Sequence, residues 1–338
     1  MYNYWIFKLK KMKNEYYIVK SSGNNLPYTS INVLEYTANT TYSPSSNLLY
    51  ARVVCVGGGG GGGSGRVVGG VTNGTGGQSG QGGLIASNIL YSTELTAATY
   101  NIVIGSGGTG GAAVSNVAAT NGNQGTNGGD TKFGTASTPT YVLAKGGIRG
   151  YQGTAAGNSG NINLHITACI PNSIDLCIQS QYNIQTGNGA GTAGTTGFGD
   201  LGGTGRAGNG AGKGAAAFAG GNGARGWDKD GVVSAVVSGG TLGGGHGQNG
   251  LDNVSLQIIE QYPISGVTAW NTLGIGTGGA GGGSSITAGV PGGNGGNGGL
   301  YGTGGGGGGA GLTGVAPNGS GAGGNGAQGF CIIIEYLK

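Results

Sequence analysis

Between residues 293 and 314, glycine falls at every third position: Gly293, Gly296, Gly299, Gly302, Gly305, Gly308, Gly311 and Gly314. Shorter runs at the same interval occur at residues 74–83, 122–128, 199–208, 220–226 and 276–282. Three is the period of neither an α-helix nor a β-strand. It is the period of an extended polyproline-II-type helix, which has three residues per turn and rises about 3.1 Å per residue. Glycine at every third place leaves one edge of such a helix without Cβ atoms, so a neighbouring chain can approach closely. The helix has no internal hydrogen bonds, so its buried N–H and C=O groups must pair sideways, with Cα–H···O contacts adding to them. The expected architecture is therefore a block of such helices packed side by side. No α-helix is expected across residues 197–314, since each interior glycine costs about 1 kcal/mol relative to alanine.

Composition narrows the choice further. Glycine supplies 88 of 338 residues, charged residues are 8% and prolines number 7. Collagen needs an unbroken Gly-X-Y pattern and about 15–20% proline. Here the glycine register breaks at Ser64, Ala211, His246 and Pro317. Such breaks, often with Asn or Ser nearby, read as turns between short segments. Disorder is the other fate of a glycine-rich chain with few charges. Against it stand the apolar runs "INVLEY" (31–36), "NLLYARVVCV" (47–56), "TYNIVIG" (99–105), "TYVLAKGG" (140–147) and "GFCIIIEYL" (329–337). These read as strands framing the glycine tracts. The fold class is mostly irregular/β: a glycine-rich sandwich of packed polyproline-II-type helices bracketed by short β-strands.

The stretch "VVCVGGGGGGGSG" (53–65) resembles a nucleotide-binding loop, but its context does not fit. A dinucleotide fingerprint continues into a helix and places an acidic residue roughly 20 positions on. Here the chain continues as "RVVGGVTNGTGGQSGQGG" (66–83), and the next acid after Glu35 is Glu94. A P-loop needs Gly-Lys-Ser/Thr, whereas Gly212-Lys213 is followed by Gly214. These glycines are packing surface, and no cofactor is expected. The formal charge of +4 is weak, and from Gly231 to Ile334 the only charged residues are Asp252 and Glu260. That is no footprint for nucleic acid. The longest apolar runs fall short of the roughly 20 residues that cross a bilayer, so no membrane insertion is expected. In "MYNYWIFKLKKMK" the charges follow the apolar stretch, the reverse of a signal peptide.

Cys55, Cys169, Cys177 and Cys331 include no Cys-x-x-Cys pair, and His165 and His246 lie far apart, so no metal site is expected. Cys55 and Cys331 sit inside strand-like runs and read as small buried apolar residues. Cys169 and Cys177 are spaced to pair across a loop, although a reducing cytosol would keep them as thiols.

The order of motifs resembles a known family. A strand enters a glycine tract ("LLYARVVCVGGGGGGGSG"). "TYNIVIGSGGTGG", a Thr-x-Phe-Gly turn in "DTKFGT" (130–135) and "VLAKGG" follow, and a last glycine tract closes on "GAQGFCIIIEY". This is similar to the glycine-rich domain of bacteriophage tail fibres and fibre-tip adhesins. The likeness runs over roughly residues 47–337. It implies packed polyglycine-II helices whose connecting loops recognise the host surface. Two parts depart from the pattern: residues 1–46, read as an N-terminal attachment segment with short strands, and a glycine-poor insert at about 160–187 within the glycine-rich domain (47–338). The likeness also implies a virion protein assembled in the host cytoplasm. Its partners would be other virion proteins, through the N-terminal segment, and a host surface glycan or outer-membrane protein, with self-association also open.

The aromatic and polar interruptions of the glycine block supply the candidate receptor contacts: Trp227, Asp228, Lys229 and Asp230 in "ARGWDKDG", and Glu260, Tyr262 and Trp270 in "DNVSLQIIEQYPISGVTAWNTLG". Polar and aromatic loops on a rigid scaffold are a common recognition design. The same rings would equally fill gaps between layers. A capsid decoration, head-fibre or shaft protein without a receptor is the alternative. An enzyme such as a glycan depolymerase would need a carboxylate pair. Asp228 with Asp230, or Asp252 with Glu260, are the pairs on offer, but nothing fixes their spacing, and no catalytic residue is assigned.

Overall fold

The structure is a computed structural model that describes residues 28–69, 74–115, 119–135, 140–155, 219, 237–241, 243–252, 276–313 and 319–338. It describes the backbone alone for 5–11, 14–20, 73, 211–213, 255–264 and 267–275. No helix occurs among the described residues; the regular elements are strands. They are β1 (Trp5–Lys11), β2 (Asn14–Lys20), β3 (Ser30–Tyr36), β4 (Thr40–Tyr42), β5 (Leu48–Val56), β6 (Val67–Val68), β7 (Asn73–Thr75) and β8 (Ile85–Tyr91). After these come β9 (Tyr100–Val103), β10 (Thr131–Gly134), β11 (Thr140–Ala144), β12 (Ala211–Lys213), β13 (Ser255–Ile264), β14 (Val267–Ile275), β15 (Gly311–Leu312) and β16 (Phe330–Leu337).

Two four-stranded sheets, ordered β3-β16-β5-β8 and β11-β10-β9-β4, enclose the main core. The apolar runs on either side of the glycine tracts pair directly, β5 with β16. Phe330 lies opposite Val56, Cys331 opposite Cys55, Ile332 opposite Val54 and Ile333 opposite Val53. The unbroken apolar runs of β5 and β16 follow from burial on both faces. Val53, Cys55, Cys331 and Ile333 meet Tyr100, Ile102, Phe133 and Val142 of the second sheet. Val54, Val56, Ile332 and Ile334 pack with Ile85, Phe330 and Tyr336 on the other side. One-sided β9 instead alternates buried and exposed residues. Strands β3 and β4 belong to these sheets, through β16 and β9 respectively, so the pairing runs across residue 46.

The chain "DTKFG", which reads as a turn, is strand β10 and pairs with both β9 and β11. Thr131 and Phe133 face inward, and Gly134 sits at a register shift opposite β11. A small glycine at a bulge explains why strand and turn look alike in this sequence.

The sandwich continues directly into the glycine block. Strand β5 leads into residues 57–66, β9 into 105–113 and β11 into 145–154, while 76–84 leads into β8, 121–130 into β10 and 319–329 into β16. Residues 57–66 are buried along their whole length. The N–H groups of Gly57, Gly60 and Gly63 donate to Leu84, Gln81 and Gln78 at 2.7–2.8 Å. Those of Gly58, Gly61 and Ser64 donate to Gly129, Thr126 and Asn123, and those of Gly59, Gly62 and Gly65 to Ala327, Gly324 and Gly321. The carbonyls of the same segment accept from three further segments: from Gly108 and Gly111, from Gly147, Gly150 and Gly153, and from Gly305, Gly308 and Gly311. Each side is addressed at every third residue, so the backbone groups that lack internal partners are satisfied laterally.

Position in the block explains the local sequence. Residues 57–63 and 304–309 are unbroken glycine because they are buried on all sides, and a Cβ there would strike a neighbouring backbone carbonyl. Residues 292–299 read Gly-Gly-Asn-Gly-Gly-Asn-Gly-Gly because only the Asn edge is exposed. The period-three run from Gly293 is shared by two segments, 291–300 and 302–311. They run antiparallel, with Gly306 N–H on Gly296 O and Gly309 N–H on Gly293 O. Gly302, with φ of +73°, closes the turn between them; Gly314 lies outside the described residues.

Two of the expected register breaks are not turns. Ser64 is buried within segment 57–66, and its Oγ accepts the Asn123 N–H at 2.7 Å. His246 lies within segment 245–252. Ala211 begins the β12 backbone pairing with β7, and Pro317 lies outside the described residues.

Candidate functional site

The glycine block has two distinct ends. At one end sits the sandwich, where Gly57 N–H bonds Leu84 O and Gly83 N–H bonds Gly302 O. The opposite end gathers residues 66, 75, 120, 154, 292, 311 and 319 through bonds such as Arg66 N–H to Thr75 O, Thr75 N–H to Thr154 O and Val67 N–H to Thr120 O. The Arg66 guanidinium also donates to Asn121 Oδ1 there. The chain reaches this distal end at residue 155, the last residue described before the 211–213 backbone. Trp227, Asp228, Lys229 and Asp230 fall outside the described residues.

Glu260, Tyr262 and Trp270 lie on the β13–β14 hairpin. The register places Glu260 opposite Asn271, Gln261 opposite Trp270 and Tyr262 opposite Ala269, so Glu260 and Tyr262 share one face of the hairpin and Trp270 takes a position on the other. The base of the hairpin is fixed by Thr277 N–H to Leu251 O and Gly299 N–H to Thr277 O. Those bonds lie next to residues 300–302, at the sandwich end of the block.

Sequence reasoning missed a polar face built by segments 245–252, 291–300, 319–329 and 105–113. On an outer face the N–H groups have no further segment to pair with, and side chains supply the acceptors. Asn297 N–H donates to Asn249 Oδ1, Asn325 N–H to Asn297 Oδ1, and Gly110 N–H to Asn325 Oδ1, each at 2.8 Å. One turn away, Asn294 N–H donates to His246 Nδ1 and Ala322 N–H to Asn294 Oδ1. Leu300 N–H donates to Asp252 Oδ1 at 2.7 Å. In these bonds His246 Nδ1 and the Asn Oδ1 atoms all serve as acceptors. Rows repeat every three residues, at 246, 249 and 252 on one segment and at 294, 297 and 300 on its neighbour. The sequence signal was the Gly-Gly-Asn repeat, which reads as turn chemistry when the lattice is not in view.

Two further acids among the described residues, Glu335 and Asp130, have structural partners. Glu335, 1% exposed, accepts from Tyr42 OH at 2.8 Å, Ser45 N–H at 3.0 Å, Ser45 Oγ at 2.8 Å and Asn32 Nδ2 at 2.9 Å. Burial, reinforced by the bond to Glu335, holds the Tyr42 phenol well above its ordinary range. Burial, with the charges of Cys331 and Glu335, pushes Tyr36 up to about 12. Asp130 bonds Lys145 Nζ at 2.8 Å and Gly146 N–H at 3.0 Å where β11 enters the glycine block. Burial alone would raise the Asp130 carboxyl, but the Lys145 ammonium and the Gly146 N–H outweigh it and hold it below the usual range. Among the described residues no group of three His, Cys, Asp or Glu side chains is placed to hold a metal ion. No helix among the described residues is long and apolar enough to cross a membrane. No protein-family model matches the chain, and no curated protein matches it.

Proposed function

We propose that this chain is a phage virion attachment protein, a tail-fibre or fibre-tip adhesin, whose glycine block is a rigid scaffold of polyglycine-II helices. The observation that carries the fold reading is the three-residue alternation of lateral bonds around residues 57–66, which suits hexagonal packing of threefold helices. The functional reading rests on the resemblance in motif order and on the scaffold's two unlike ends. A block with a saturated interior offers a ligand little but backbone. Discrimination then falls to the segments that leave it, which carry the large aromatic and charged residues that dominate binding energy. In this reading the N-terminal strands dock on the particle, and Trp227, Asp228, Lys229 and Asp230 contact the host. The exposed Asn rows suit an acceptor-rich ligand such as a surface glycan.

The β13–β14 hairpin favours a second reading for its own residues. It springs from the sandwich end, where Glu260, Tyr262 and Trp270 would contact a neighbouring virion protein, as in a decoration, head-fibre or shaft protein. Replacing residues 252–271 by a short Gly-Asn linker, and separately replacing 227–230 by Gly-Asn, tests both. Particles that assemble but no longer adsorb to host cells locate receptor contacts in the replaced segment. Failure of assembly with the hairpin replaced assigns it to the particle, and normal adsorption by both variants refutes the adhesin reading.

A further inference from the structure

We propose that Cys55 and Cys331 form a disulfide site that joins the first and last strands of the glycine-rich domain covalently. The two residues are 276 positions apart in sequence, yet they are directly opposed in the β5–β16 ladder, with Sγ atoms 3.8 Å apart. Both are fully buried in the core shared by the two sheets. A disulfide needs Cβ atoms about 3.5–4.5 Å apart, and directly opposed strand residues hold theirs at about 4.5–5.5 Å. Closure therefore asks for side-chain rotation and a small approach of the two strands, not a rearrangement of the fold.

The reaction needs a small two-electron oxidant able to reach the core during local opening; hydrogen peroxide is the one named here. One thiolate attacks a peroxide oxygen and expels hydroxide, giving a sulfenic acid. The opposed thiolate then attacks that sulfur and expels a second hydroxide, which leaves as water with the protons given up by the thiols. Two thiols and one peroxide become one disulfide and two waters. Burial pushes the Cys55 thiol well above its ordinary range, so attack is slow and the pair stays reduced until an oxidant is present. The bond would tie strands whose separation opens the domain, since residues 57–66 and 319–329 continue directly from β5 and into β16.

The test uses the full chain carrying Cys169→Ser and Cys177→Ser, treated with dilute hydrogen peroxide. The expected result is an intact mass lower by two hydrogens and no thiol left to alkylate in denaturant. A linked peptide pair containing Cys55 and Cys331 should appear, with a melting temperature about 10 °C higher that falls back on adding reductant. The same chain with Cys331→Ala serves as the control and should show no rise. Added oxygen without a linked pair, crosslinking only between chains, or two free thiols after oxidation overturns the proposal.

Discussion

Gly305→Ala should destabilise the domain severely, although the same change on an ordinary loop would be harmless. A Cβ at Gly305 would press on the Gly324 backbone carbonyl well inside the 3.0 Å that real Cβ atoms essentially never cross, and it would lie 2.7 Å from Asn325 O. Ordinary contact begins near 3.4 Å. Both obstacles are backbone, so segments 302–311 and 319–329 must separate by roughly 1 Å. The bonds between them run from Gly321 to Gly309, Gly324 to Gly306 and Ala327 to Thr303, all at 2.8 Å. An added ~1 Å takes such bonds beyond the useful range of about 3.2 Å. Each buried group left unpaired costs about 1–3 kcal/mol. Losing the bond nearest the new methyl and one neighbour therefore costs about 2–6 kcal/mol, against a gain of about 0.4–1 kcal/mol from stiffening the unfolded chain. The net loss of about 2–5 kcal/mol is a large share of the ~5–15 kcal/mol that holds a typical domain. Thermal unfolding followed by circular dichroism, with exposed Ser106→Ala as the control, should show a fall of about 5–20 °C for Gly305→Ala and little change for Ser106→Ala. Equal or higher stability for Gly305→Ala would refute the close packing and make the tract a flexible linker.

Glu335→Gln replaces an acceptor that four donor atoms address with a group that is itself half donor; denaturant titration should show a loss of about 2–4 kcal/mol, with no change in secondary structure. Asp130→Asn should cost about 1 kcal/mol or less at pH 7, because the Lys145 side chain is 41% exposed and solvent screens the pair. The Asp130 carboxyl is held below its unfolded range, so its stabilisation is present above that range and is lost as pH falls through the lowered folded value. The gap between Asp130→Asn and the unaltered protein should therefore close in acid, and a gap that widens there would contradict the pairing. Asn297→Ala removes the acceptor for the Asn325 N–H on an exposed face where water can replace it; melting should show about 1 kcal/mol or less lost, far below the effect of Gly305→Ala.

Much of the fold was legible because the sequence states it twice. The apolar runs at 47–56 and 329–337 are too long and too evenly apolar for one-sided strands, and their places at either end of the glycines implied a shared sheet. The glycine period implied lateral pairing. Three features escaped for physical reasons. The turn chemistry of Thr131–Gly134 belongs to a strand with a bulge, because Gly134 serves both. The breaks at Ser64 and His246 are substitutions tolerated inside a segment, because a side-chain oxygen or nitrogen can take the place of a missing backbone acceptor. The Asn rows required knowing which segments lie side by side, since their partners are 28 or 48 residues away. Of the candidate contacts, the hairpin register puts Glu260 and Tyr262 on one face and Trp270 on the other, a division that their shared segment alone did not reveal. That the hairpin stands at the sandwich end of the block depends on the direction of each segment, which glycine spacing does not encode.

Amide hydrogen exchange over residues 57–66 tests the scaffold most directly. Every N–H from Gly57 to Arg66 donates to a carbonyl of a surrounding segment, in a stretch with no helix or strand to protect it. Protection should be continuous through the glycines and comparable to that of β5, which they extend, because both open only when the domain opens. Exchange of the Gly57–Gly63 amides at the rate of free chain, beside a protected β5, would contradict a laterally bonded block and leave the glycines as a tether.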